Sequence, residues 1–154
     1  MILASILIIF IAFILLKQNT KEKSIGNKKI DFDDSVESLQ KKLQSEILND
    51  KLDKQVERNL KAKDLEKQGK INQAINLYEQ NVSEGFDGNF PYDRLAIIYR
   101  KKKDIENEIR VLKKGIDVFT ALSKSSPRQD IYPKLERFNE RLKKSLSIKD
   151  EKSK

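Results

Sequence analysis

The 154-residue chain contains no cysteine and no histidine. Without cysteine there is no disulfide framework, no thiolate metal site and no sulfur nucleophile. Without histidine the commonest general base and the commonest transition-metal ligand are gone as well. Only carboxylates are left for acid–base or magnesium chemistry. The densest group of them, Asp31, Asp33 and Asp34 in DFDD, reads as the acidic entry to a helix rather than a catalytic cluster. The chain is therefore expected to be non-catalytic, with no cofactor and no metal. Tryptophan is absent too, and only 3 prolines and 5 glycines punctuate the sequence. No segment alternates apolar and polar residues with period two over a useful length, so the expected class is all-α.

What the chain has in quantity is charge. The formal net charge is +8, carried mostly by lysine. A lysine ammonium is a mobile, well-hydrated point charge that cannot grip phosphate or guanine with a bidentate fork. Interleaved with glutamate, such lysines read first as a solvated helical surface. The run Arg100–Lys103 (RKKK) with Lys113, Lys114, Lys143 and Lys144 keeps a second reading open. That reading is a basic helical regulator binding nucleic acid or an anionic membrane surface.

The first residues, MILASILIIFIAFILL from Met1 to Leu16, have no charge, proline or glycine. As a helix they span about 24 Å, and Lys17 and Gln18 extend them toward the ~30 Å hydrocarbon core. Their twelve Ile, Leu and Phe residues favour insertion by up to about 4–7 kcal/mol. A run whose only polar side chain is Ser5 has no face to show to water, which argues against a buried core helix. The following LLKQNTKEKSIG offers no small-x-small cleavage site, and nothing basic precedes the run except the amino terminus. Residues 1–18 are thus expected to be an uncleaved transmembrane anchor. Lys17, Lys21, Lys23, Lys28 and Lys29 crowd its C-terminal side, which places the rest of the chain in the cytoplasm. Residues 19–33 read as a basic, then acidic, tether.

From Asp34 onward apolar residues recur at spacings of three and four, the signature of amphipathic helices. Val36, Leu39, Leu43 and Ile47 define the first, with an interruption expected at Asn49–Asp50; Leu52, Val56, Leu60 and Leu65 continue to a turn at Gly69. Ile71, Ala74, Ile75, Tyr78 and Val82 form the next face, closed by the glycines of SEGFDGNFP. Pro91 suits the first turn of a following helix capped by Asn89, and Asp104 starts another through Ile105, Ile109, Leu112, Ile116 and Phe119. After Ser125–Pro127, a last helix starts near Asp130 and carries Ile131, Leu135, Phe138, Leu142 and Leu146. The helical domain is expected over 34–147, with 148–154 as a frayed tail.

Shifted by 34 residues, the chain aligns with itself: Ala62 with Ala96, Leu65 with Tyr99, Ile71 with Ile105, Ile75 with Ile109, Tyr78 with Leu112, Val82 with Ile116. Gly69 falls opposite Lys103. Tyr92-x2-Leu95-Ala96-x2-Tyr99 and Ala74-x3-Tyr78 resemble the two helix signatures of the tetratricopeptide repeat family, W-x2-L-G-x2-Y and A-x3-F with period 34. The resemblance covers about residues 55–119. Arg58 and Lys61 depart from it at the Trp and Leu places, and Glu108 at the small place of the second unit.

The resemblance implies a short solenoid of units at about 55–88 and 89–122, with flanking helices as caps, the C-terminal one at about 130–147. Its packing residues would be Ala62, Leu65, Gly69, Ala74, Tyr78, Leu95, Ala96, Tyr99 and Leu112. It further implies a binding scaffold, with Asn59, Lys63, Glu66, Asp93, Ile97 and Arg100 lining a concave face that takes a protein or peptide partner. The function expected is thus a membrane-anchored protein-interaction adaptor.

Overall fold

Good helix formers dominate this sequence and breakers are few, so local propensity and apolar period agree over most of its length. The computed structural model describes residues 32–152, and all regular structure among them is helical. The helices are α1 (Phe32–Lys67), α2 (Ile71–Ser83), α3 (Phe90–Lys101), α4 (Ile105–Ser125) and α5 (Ile131–Lys152). The expected anchor at 1–18 and most of the tether at 19–33 lie outside the described residues. Among those described, no helix is long and apolar enough to cross a membrane. Lys41–Lys154 form a compact unit separate from Met1–Gln40, and the packing below belongs to the former.

The helix boundaries differ from expectation in three places. Asn49–Asp50 does not interrupt α1, which is continuous through it. Neither residue is a strong breaker, each costing well under about 1 kcal/mol relative to Ala. Lys54 Nζ also donates to Asp50 Oδ2 at 2.6 Å, one turn away. At the other end α5 runs on to Lys152, so 148–152 are helical rather than frayed. Asn89 sits at the N-cap of α3 without making a capping bond, and its Nδ2 donates to Asp93 Oδ2 instead. Asp104 does cap α4, accepting from the Asn107 backbone N–H at 3.1 Å.

The turns after α1 and α3 have the same construction, 34 residues apart. Gly69 and Lys103 both adopt left-handed backbone, at φ 75° and 60°. In the first turn the N–H groups of Gln68, Gly69 and Lys70 donate to the carbonyls of Asp64, Glu66 and Leu65. In the second those of Lys102, Lys103 and Asp104 donate to Ile98, Arg100 and Tyr99. Each set closes the free carbonyls of a helix end, a Schellman pattern. The glycine meets this need without strain, whereas the lysine adopts a conformation unfavourable for an L side chain.

The helices turn their apolar stripes into one core. Ala62, Ala74, Tyr78, Leu95, Ala96, Leu112, Phe119 and Phe138 are wholly buried, and Tyr99 nearly so. α3 packs on α2 and α4, and α4 packs on α5. Tyr92, Phe119 and Phe138 interlock edge to face, with ring centroids 6.1 and 5.5 Å apart across Phe138. Gly115 on α4 admits the rings of Phe138 and Tyr92 to within 3.4 Å of where a Cβ would stand. Full burial of one such large side chain contributes about 1.5–3 kcal/mol.

The N-terminal stretch of α1 stays outside this core. Leu43, Ile47, Leu48 and Leu52 are exposed although the sequence marks them as an apolar face. Spaced mostly four apart, they advance by about 40° per step around the helix, so no single neighbour covers them all.

Candidate functional site

α1, α3 and α5 share a face on which most of the expected partner-binding residues stand. The structure divides those six residues into groups with different duties.

Asn59, on α1, is buried rather than available, and its Oδ1 meets no donor among the described residues. Glu66, one helix away from Arg94, accepts both Nε and Nη2 of that arginine in a bidentate pair and also a bond from Tyr78 Oη. Burial, and next the Glu66 charge, push the Tyr78 phenol above its ordinary range. Asp93 on α3 is held by two arginines of α5, Arg137 Nη2 at 2.5 Å and Arg141 Nη1 at 2.8 Å. Arg100 is directed at Glu108, donating from Nε at 2.5 Å and Nη2 at 2.9 Å. Ser145 of α5 completes this cluster, donating to Glu108 and accepting from Arg100. Three of the six residues are thus ion-paired within the chain and knit the three helices together.

Lys63 and Ile97 are differently placed. Lys63 is exposed and lines a cleft of about 280 Å³ with Glu66, Lys67, Phe90 and Arg94. Ile97 is half-buried and lines a second cleft of about 340 Å³ with Arg100, Lys101, Glu108, Arg141 and Lys144. Along α3, Phe90, Arg94, Ile97 and Lys101 follow one another at spacings of four, three and four. They form a single stripe that joins the two clefts.

The departures from the repeat pattern acquire a physical account. Arg58, at the aromatic place, donates from Nη1 to Asn81 Oδ1 at 2.7 Å and to Glu84 Oε1 at 2.8 Å. Asn81 is fully buried, and its Nδ2 donates to the Gln55 carbonyl at 2.8 Å. Gln55 Nε2 in turn reaches Glu84. The α1–α2 junction therefore uses a satisfied polar network where an indole would supply apolar contact. The Arg58 bond holds the Glu84 carboxyl below its ordinary range against the opposing effect of burial. Glu108, at the small place, is 1% exposed and points its charge at Arg100 and Ser145. Lys61 simply faces solvent. Sequence periodicity did not reveal Asn81, Ser145 or the arginines of α5. Their partners lie 26 to 48 positions away, and only the uncommon polar residue on an apolar stripe hints at them.

The expected packing residues are distributed as follows. Ala62, Ala74, Tyr78, Leu95, Ala96 and Leu112 have no exposure, Tyr99 is buried, Leu65 is half-buried and Gly69 is exposed at its turn. Asp33 and Asp34 fall in the first turn of α1, and Asp31 lies outside the described residues. Among the described residues, no group of three or more acidic side chains is placed to hold a metal ion.

No protein-family model matches the chain, and neither the curated proteins nor the solved structures include a significant match to it.

Proposed function

We propose that the chain is a membrane-anchored, non-catalytic interaction module. Residues 1–18 hold it in the bilayer, and a tetratricopeptide-like array of helical hairpins faces the cytoplasm and takes a protein or peptide partner. The observation that carries this reading is the turn repeated 34 residues apart, with the same left-handed residue and the same three backbone bonds at Gly69 and Lys103. Buried pairs in the same register, Ala62 with Ala96 and Tyr78 with Leu112, support it. In such arrays the first helix of each hairpin faces the partner, which corresponds to α1, α3 and α5 here.

Arg100 is a poor choice for testing this surface, because reversing its charge would strand the buried Glu108. The exposed Lys63 and Lys101 avoid that problem. A photo-cross-linking residue placed at either position in the native cell is expected to capture partner adducts. The same group at Lys113 or Asp117, exposed positions of α4, should not. Equal capture from both sets would remove the assignment of this face.

A further inference from the structure

On the face shared by α1, α3 and α5, arginines and lysines have separate roles. Glu66, Asp93 and Glu108 are each bonded to arginines of the same chain: Arg94, Arg137 with Arg141, and Arg100. Their negative charge is already matched inside the protein. Lys63, Lys101 and Lys144, one on each helix, are exposed and form no ion pair or hydrogen bond among the described residues. They line the same two clefts as Phe90 and Ile97. The face therefore carries uncompensated positive charge beside apolar floor residues.

We infer that this face binds an acidic, extended peptide segment lying along α3, with carboxylates at its two ends and apolar side chains between. This inference rests on the reading of the face as a binding surface. Phe90, in the cleft with Lys63, and Lys101, in the cleft with Lys144, are eleven residues apart on α3. That separation is about 16 Å, and an extended chain covers it in about five residues. Leucine-sized side chains between the carboxylates would meet Phe90 and Ile97 without stranding a charge. The face is less suited to nucleic acid. Its free cations are lysines, its arginines are occupied, and Phe90 is half-buried rather than open as a stacking platform.

The test uses the full chain in phosphatidylcholine nanodiscs and a fluorescein-labelled peptide, Glu-Glu-Leu-Pro-Leu-Glu-Glu, read by fluorescence anisotropy. The peptide should bind, and more weakly as salt rises. The triple variant Lys63→Glu, Lys101→Glu, Lys144→Glu should weaken it by about tenfold or more. All three side chains are exposed and unpaired, so the variant should keep its helical circular dichroism and unfolding midpoint. Equal binding of the peptide with lysine for glutamate, indifference to the triple variant, or no binding at millimolar peptide would each overturn the inference. Competition by oligothymidylate at equal phosphate and carboxylate concentration would overturn it in favour of nucleic acid. If cross-links from Lys63 and Lys101 capture a partner that has no acidic segment, the binding surface stands and this inference alone fails.

Discussion

Glu108 stands where the first repeat has Ala74, and its carboxylate survives burial because Arg100 and Ser145 satisfy it. Replacing it with alanine leaves Arg100 partly able to rehydrate, since that side chain is 39% exposed. Glu108→Ala should therefore cost about 1–3 kcal/mol, less than the loss of a fully buried pair. Glu108→Gln, which keeps an acceptor, should cost less; urea unfolding followed by circular dichroism measures both. The tyrosines make a second prediction. Burial, as the largest cause, raises the phenol pKa of Tyr78, Tyr92 and Tyr99 above the ordinary value of 10.0. The folded state thus holds these protons where the unfolded state releases them. Their contribution is complete below the unfolded value and is lost as pH rises from about 10 toward the folded values. The unfolding midpoint should fall in that window. Tyr92→Phe should flatten the fall while losing about 1 kcal/mol at neutral pH, because Tyr92 Oη donates to the Phe86 carbonyl. Glu84 and Asp104 act oppositely. Their lowered pKa values give stability that is present above the ordinary carboxylate range and lost as pH falls below it.

At the level of elements, the two matching turns invite a paired experiment. Lys103 holds φ 60° without the freedom of glycine, so Lys103→Gly should stabilise the protein by about 1 kcal/mol. Gly69→Ala should destabilise by a similar amount, about 1 kcal/mol. A Cβ at Gly69 would meet nothing within 4 Å, so that loss reports backbone strain alone. Thermal or urea unfolding of the two variants reads both signs, and an unchanged Lys103→Gly midpoint would count against strain at that turn. Most helices were legible because their breakers, caps and apolar periods coincide, as at Gly69, Pro91 and Asp104. The boundary at Asn49–Asp50 was misread because those residues only weaken a helix, and the long α1 carries them. The exposed face around Ile47 shows the converse error. An apolar period indicates a helix with a preferred side, but it does not supply the neighbour that would cover it.

For the whole molecule, the anchor and the helical unit are separable in experiment. Deleting residues 1–18 should move the protein from the membrane pellet to the supernatant, and the full chain should resist alkaline carbonate extraction. Persistence of the deleted form in the pellet would refute an anchor confined to those residues. In intact cells the helical unit should be protected from added protease. The candidate face was legible in outline and not in detail. Spacing from the repeat register placed Lys63, Glu66, Asp93, Ile97 and Arg100 on one side of their helices. It could not say that Glu66, Asp93 and Arg100 would be taken up by Arg94, Arg137, Arg141 and Glu108. By itself the sequence determined the all-α class, the 34-residue register and the packing pairs, because these follow from local propensity and from periods within one helix. The tertiary structure alone decided which charges are spent on holding α1, α3 and α5 together and which remain for a partner. That division depends on side chains up to 48 residues apart meeting at hydrogen-bond distance, which no local pattern encodes.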